Sequence, residues 1–315
     1  MSASAQQSAP SSRVPPIAML VASAIIYGAL FSLNKIAADA GVPPIPYAFW
    51  QCIIAGMILW IISRMMRAPP SRRPLHLLSY LLVGGAGIGI PTAILTHVAP
   101  HLPAGLVTMV LVLSPPMTYL LGMLARLERF RWLGVVGILF GFAGVALIAA
   151  PSAALPSGDM AGWFILSLIA PLLFASANIC AALLAPRDGS TAGTGAGILL
   201  GAALVLAVTM LVTRQGYWFP SFPNAGDWAI LCAAAINAAF ILMFLEILRM
   251  AGPVFFAQFN YLAVAAGIGW SFALFDERLG LYIWAALALM FVGVLLTTFR
   301  EKDLRLSMPG FAKRT

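Results

Sequence analysis

The chain is patterned as long apolar segments separated by short clusters of Pro, Gly and charged residues. Most segments exceed about 18 residues, the length at which an α-helix can cross a bilayer. A transmembrane barrel would instead show alternating segments of about ten residues. The pattern predicts an all-α, polytopic membrane protein with ten transmembrane helices. The predicted spans are 17–37, 44–64, 77–98, 103–125, 132–150, 161–185, 193–213, 226–248, 253–275 and 280–299.

Composition supports the same class of protein. Hydrophobic residues make up 62% of the 315 positions and charged residues only 9%, whereas a soluble domain carries about 25% charged residues. Too few charged side chains are present to cover a water-soluble globule of this length, so soluble enzyme folds are excluded. Cys52, Cys180 and Cys232 all lie inside apolar segments, and no disulfide framework is predicted.

Lys and Arg residues are distributed unequally between the two sides of the predicted membrane. If the N-terminus is inside, fifteen of the eighteen fall on the inner side, and only Lys35, Arg214 and Arg278 fall outside. Cytoplasmic loops of membrane proteins carry this excess. We therefore expect an inner (plasma) membrane protein with both termini in the cytoplasm. The same bias accounts for the net charge of +8, so no nucleic-acid partner is predicted.

The two termini lie outside the predicted spans. Residues 1–16 are rich in Ser, Ala, Gln and Pro and are predicted to form a disordered tail. Residues 300–315 are predicted to form a basic cytoplasmic tail. The first apolar segment is longer than the apolar region of a signal peptide, about 7–15 residues, so cleavage is not expected.

Two short patterns occur twice along the chain. The fourth span opens with Ala104-Gly105-Leu106-Val107 and is followed by Leu127-Glu128-Arg129, whereas the ninth opens with Ala251-Gly252-Pro253-Val254 and is followed by Asp276-Glu277-Arg278. They predict two five-helix repeats, 17–150 and 160–299. Because five is odd, the second repeat must be inverted. Inverted repeats are typical of secondary transporters, whose substrate sites lie near the membrane midplane.

These stretches, with Tyr27-Gly28, Phe31 and Asn34-Lys35 in the first span, resemble the EamA-type transporters of the drug/metabolite transporter superfamily. The resemblance covers about residues 17–299. It implies an exporter of metabolites, amino acids or drugs that works by alternating access. The chain departs from the family pattern at Val264, which stands where the ninth span would repeat Pro115, and at Gln51, where members often have an Arg.

Polar side chains inside the spans are predicted to form the substrate site, because such groups are costly in lipid and tend to face a cavity or a partner. The alternative for each is a hydrogen bond between helices or, for Lys35, a charge that reaches the outer interface. The predicted substrate-binding residues are Tyr27, Asn34, His97, Asn178, Asn237, Gln258, Asn260, Tyr261 and Trp270.

Helix irregularities and titratable groups add a second set of predictions. Pro115, Pro116 and Pro171 are predicted to kink their helices. Gly84, Gly85, Gly87 and Gly89 favour close packing or a hinge. His97 and Glu246 are the candidates for proton coupling, and their alternatives are an interfacial histidine and an ion pair with Arg249. Glu128 and Glu277 are interpreted as anchors at helix ends.

Missing features narrow the predicted function. The sequence has no HExxH or GxSxG motif and no paired intramembrane aspartates, so an enzyme is not predicted. No metal or other cofactor is predicted. Without a midplane carboxylate or a basic cluster at depth, a neutral or zwitterionic metabolite fits best. A drug or nucleobase-type carrier, an importer, and an intramembrane enzyme remain the alternatives. The expected partners are a small-molecule substrate and the lipid bilayer, for a monomer or homodimer.

Overall fold

All regular elements of the described chain are helical. The computed structural model describes residues 16–126, 130–149, 158–184, 190–219, 224–256, 259–277 and 280–298. These residues form thirteen α-helices. The helices are α1 (Pro16–Asp39), α2 (Pro44–Met65), α3 (Pro74–Gly84), α4 (Ile90–Val98), α5 (Ala104–Met109), α6 (Ser114–Leu124), α7 (Trp132–Ala149), α8 (Gly158–Ser167), α9 (Ile169–Leu184), α10 (Thr191–Thr213), α11 (Ala225–Phe256), α12 (Phe259–Phe275) and α13 (Leu281–Thr298).

Seven runs of helix in the described residues are long and apolar enough to cross a membrane. Three of them join two α-helices each, namely α3 with α4, α5 with α6, and α8 with α9. Three shorter apolar helices lie in α7, α12 and α13. The polytopic, all-helical class is therefore confirmed, and most helix ends fall within a few residues of their predicted positions.

The main difference from the predicted spans lies between the eighth and the ninth. Arg249 and the Gly252-Pro253 pair were expected to end the eighth span at residue 248, but α11 continues to Phe256. Pro253 therefore lies within a helix. A proline removes one backbone hydrogen bond, and in membrane proteins neighbouring groups can satisfy the carbonyl that it leaves free. The predicted loop at 249–252 is wrong for this reason.

Three spans are irregular near their middle. A π-helical turn, Gly85–Gly89, separates α3 from α4, and a 3-10 turn, Val110–Leu113, separates α5 from α6. Pro115 and Pro116 lack the N–H groups that would bond to the carbonyls four residues earlier, so the α-helix cannot continue through this turn. In the sixth span α8 ends at Ser167, the residue whose carbonyl Pro171 cannot satisfy. Irregular helices of this kind line sites in many transporters.

Helices α3 and α10 touch through their backbones. A Cβ atom added at Gly84 would lie 2.1 Å from the carbonyl oxygen of Ile198, and one added at Gly201 would lie 2.4 Å from that of Tyr80. Only glycine allows this approach, as in other membrane helix pairs with small residues at the interface. Gly84, Gly85 and Gly89 therefore pack closely against α10, whereas Gly87 packs against Ala177 on α9.

The two ends of the bundle are packed differently. We call them the Lys35 end, where α1 finishes, and the Arg64 end, where α2 finishes. All ten residues from Ala104 to Leu113 are buried, and α5 contacts both α1 and α12. The second half of the same span, α6, contacts α9 and α7 instead. Leu124 at its end is 74% exposed. The fourth span is thus enclosed toward the Lys35 end, whereas its last residue at the Arg64 end is exposed.

Candidate functional site

An aromatic group surrounds Tyr27 in the middle of α1. Its ring lies 4.5 Å from the ring of Phe240 on α11 and 5.4 Å from that of Phe259 on α12, between ring centroids. Tyr27 also borders three separate hydrophobic clusters of the bundle. Met117 on α6 and Phe174 on α9 pack, partly buried, on the largest of these clusters. Side chains from three spans therefore meet in this aromatic centre, and Met117 and Phe174 border the same large cluster as Tyr27.

Thr118 and Asn178 lie toward the Arg64 end of this centre. The amide Nδ2 of Asn178 on α9 donates to the hydroxyl of Thr118 on α6, at 3.2 Å. That hydroxyl in turn donates to the carbonyl of Ser114, at 2.8 Å, which holds it in place. Asn178 is nevertheless exposed. Its second polar atom is therefore accessible for another hydrogen bond.

The exposure of Asn178 differs from that of a lipid-facing residue. The exposed apolar residues Ile169, Leu172 and Leu183 share one stripe of α9, and at 100° per residue Asn178 lies on the opposite face. That face is turned toward α6, inside the bundle. An exposed amide on the bundle side of a helix marks an opening. We call this feature, with Thr118 and Asn178 at its edges, the α6–α9 opening.

Asn237 forms a different contact, between α11 and α2. Its amide Nδ2 donates to the Oε1 atom of Gln51, at 2.8 Å, and to the carbonyl of Ala233, at 3.0 Å. Gln51 is 2% exposed and Asn237 is 9% exposed, and the Nε2 atom of Gln51 is buried without a hydrogen-bond partner. The structure therefore gives Asn237 the helix-to-helix contact that was its alternative interpretation.

Removing one member of this pair is expected to cost more than removing both. Asn237→Leu would leave the Gln51 amide with neither of its groups bonded, at a cost of about 1–3 kcal/mol in the free energy of unfolding. The double variant Gln51→Leu/Asn237→Leu should recover most of that loss. Thermal unfolding in detergent would measure it, with Cys232→Ala on the exposed side of α11 as the control. Equal losses in the single and double variants would contradict this account.

A polar network lies at the Lys35 end. Lys35 on α1 forms an ion pair with Glu277, which follows α12. Glu277 also accepts a hydrogen bond from the hydroxyl of Ser271, and the backbone N–H of Gly105 on α5 donates to the Ser271 hydroxyl oxygen at 2.9 Å. Lys35 is therefore more than a charge at the membrane interface, and Glu277 does more than anchor the end of its own helix. Together they connect α1, α5 and α12.

His97 and Trp270 lie away from the α6–α9 opening. His97 is exposed near the Lys35 end, and the Trp163 ring lies 5.5 Å from it and 3.8 Å from the ring of His101. The indole of Trp270 donates to the carbonyl of Ile25 at 2.9 Å and so joins α12 to α1. Asn34 is buried within α1, at 5% exposure. The predicted site residues thus do not share one surface.

Several predicted site residues fall outside what the structure describes. Gln258 is not described, and Asn260 and Tyr261 are described only as backbone of α12. Glu246 is partly buried on α11, but the side chain of Arg249 is not described. Within the described part of the chain, no three His, Cys, Asp or Glu residues come together as a metal site.

Two contributors to the site were missed from the sequence. Thr118 was missed because hydroxyl side chains are common in apolar helices. Its position just after the Pro115-Pro116 pair, where the helix is interrupted, could have indicated a site residue. Phe174 was overlooked because aromatic residues are usual in membrane spans. Its position one turn before Asn178 on the same helix was the signal that it shares a face with that amide.

Comparison with known proteins bears on this arrangement. Residues 14–150 match the model of the EamA-like transporter family. This part of the chain is EamA-like. The family belongs to the drug/metabolite transporter superfamily, as the resemblance implied, and the EamA-like segment contains α1 to α7, with Tyr27 and Thr118 among its residues. The match covers less than half of the chain, and it shows that this segment is similar to a family of membrane transporters.

Solved structures support the fold of the whole bundle. Seventeen chains match it. Among them, the crystal structure of a protein with 16% sequence identity aligns with a TM-score of 0.61, over 91% of this chain and 98% of its own. At this identity the similarity shows the fold alone, and it extends well beyond the EamA-like segment. No curated protein matches the chain.

Proposed function

We propose that the protein is a secondary transporter that exports a small neutral or zwitterionic metabolite, such as an amino acid or a related compound, by alternating access. The observation that carries this proposal is the α6–α9 opening, where Asn178 is exposed on the bundle-facing side of its helix. The EamA-like match supports transport as the activity. The interrupted spans next to the opening support a site at their junction.

The chemistry of the lining supports the proposed substrate class. The amide of Asn178 and the hydroxyl of Thr118 can hydrogen-bond a polar or zwitterionic head group. Tyr27, Met117 and Phe174 provide an apolar and aromatic surface for the remaining part of the substrate. Lys35 and Glu277 neutralise each other at one end of the bundle. A strongly charged substrate would therefore find little compensation among these groups.

We further propose ten spans arranged as two inverted five-helix repeats in the inner membrane. The seven long helical runs and the three shorter apolar helices together match the ten predicted segments. The bias of Lys and Arg supports an orientation with the Arg64 end and both termini in the cytoplasm. The α6–α9 opening would then face the cytoplasm, the side from which an exporter takes its substrate. His97 and Glu246 remain the candidates for proton coupling.

Flux measurements in proteoliposomes would test the function. We expect the purified protein to carry at least one neutral amino acid or related zwitterion down its gradient, at a rate well above that of protein-free liposomes. The panel should also contain nucleobases and lipophilic cations, which represent the drug and nucleobase alternatives. Gradients imposed in each direction would separate export from import. Flux equal to that of protein-free liposomes across the whole panel would overturn the transport proposal.

A further inference from the structure

The polar network at the Lys35 end has the properties of a gate. We propose that the Lys35–Glu277 ion pair, with Ser271 and Gly105, holds this end of the bundle closed and breaks when the site opens toward that side. This inference rests on the proposed transport function. In alternating access the Lys35 end must open at one stage of the cycle, and the ion pair is the contact that would have to break for it to open.

The network connects the spans that would have to separate. Lys35 belongs to α1, Gly105 to α5 and Ser271 to α12, and Glu277 follows α12. The Glu277 carboxylate contacts all three partners: the Lys35 ammonium, the Ser271 hydroxyl and, at 3.4 Å, the N–H of Gly105. That N–H lies in the first turn of α5, so it has no partner within the helix. One carboxylate thus holds three elements together.

Burial around the network shows that this end is closed. Every residue from Ala104 to Leu113 is buried, whereas the other end of the same span is exposed at Leu124 and Ala125. Below the network, a Cβ added at Gly267 on α12 would lie 2.3 Å from Cγ2 of Thr108 on α5. The fourth span is therefore fully enclosed at the Lys35 end, where the network lies, and exposed only where it finishes at the Arg64 end.

The partial exposure of the ion pair makes it suitable as a contact that breaks and re-forms. The Lys35 side chain is 20% exposed and that of Glu277 is 13% exposed, so both lie at the margin of the bundle. When the end opens, water can hydrate each charge, which offsets the lost attraction. A deeply buried pair would instead leave uncompensated charges at a large cost. A carrier that alternates needs contacts whose loss costs little in either state.

Thiol labelling would test the gate without any substrate. The reporter is Thr108→Cys, fully buried one turn below Gly105, in a chain whose Cys180 and Cys232 are replaced by alanine. A membrane-impermeant maleimide is applied from the Lys35 side of oriented proteoliposomes. We expect Lys35→Gln and Glu277→Gln each to raise the labelling rate about tenfold. The double variant should label no faster than the faster single variant, since both changes break one contact.

Two controls make the outcome decisive. Asp39→Asn removes an exposed charge at the same end of α1 and should leave the labelling rate unchanged. Cys52 is retained, since it is fully buried in a different cluster on α2 and reports general unfolding. Unchanged labelling at residue 108 in both Gln variants would overturn the gate, as would an equal rise with Asp39→Asn or labelling of Cys52. A protein that fails the flux panel can still show the labelling change, so the two proposals fail separately.

Discussion

Replacing Gly84 with alanine is expected to lower the free energy of unfolding by roughly 2–3 kcal/mol. A glycine-to-alanine change within a helix usually raises the free energy of unfolding instead, because alanine stabilises a helix relative to glycine by about 1 kcal/mol. Here the added methyl would lie 2.1 Å from the Ile198 carbonyl oxygen and 2.6 Å from the Ala202 nitrogen. Both obstacles are backbone atoms and cannot rotate away. Helices α3 and α10 would have to move apart.

The measurement is thermal unfolding and size-exclusion behaviour in detergent. Gly269→Ala is the matched control, because Gly269 lies on α12 with no atom within 4 Å of the position of an added Cβ. That variant should be as stable as the parent or slightly more stable. Similar unfolding temperatures for the two alanine variants would contradict the close backbone contact between α3 and α10.

Asn178→Leu is expected to reduce flux of the substrate at least tenfold while the protein folds and accumulates normally. Leucine has nearly the shape of asparagine but cannot hydrogen-bond, and leaving a polar group of the bound substrate without its partner costs about 1–3 kcal/mol. Thr118→Val should have a smaller effect, because it removes the hydroxyl that orients Asn178. Initial rates in proteoliposomes, at substrate concentrations below and above the KM, would show whether binding or turnover is lost.

The control for these variants is Ser176→Ala. Ser176 lies two residues from Asn178 on α9, and its hydroxyl bonds only to its own helix, at the carbonyl of Leu172. It belongs to the side of α9 that carries the exposed apolar stripe, so its loss should leave flux unchanged. If Ser176→Ala and Asn178→Leu lower flux equally, the α6–α9 opening is not the binding surface.

The helices could be predicted because a bilayer imposes simple rules on sequence. A span must be apolar along its whole length, and charges collect where it ends, so Asp39 and Arg64 mark two helix ends directly. Proline chemistry also acts locally, which is why the irregular turns precede Pro115 and Pro171. The rule failed at Pro253, where α11 continues through residues that usually end a helix. Whether a helix survives a proline depends on neighbours that are distant in sequence.

The site was only partly predictable, because a polar residue in a span has two possible partners. Asn178 and Asn237 are both lone amides in apolar helices, and nothing local distinguishes them. Packing makes Asn237 a partner of Gln51, 186 residues away, and leaves Asn178 exposed at an opening. In the sequence, Lys35 and Glu277 are likewise two separate charges at helix ends. Only the fold brings them into contact, across 242 residues.

The sequence by itself determined that this protein lies in a lipid bilayer. It also determined the positions of most helices and the types of polar side chain inside the spans. These follow from the cost of placing charges and free backbone groups in lipid, which each segment meets on its own. Only the tertiary structure decided which helix faces meet, which amide stays exposed and which end of the bundle is closed. Those outcomes depend on contacts between distant residues, since packing between helices in lipid is set by shape and hydrogen bonding rather than by hydrophobicity.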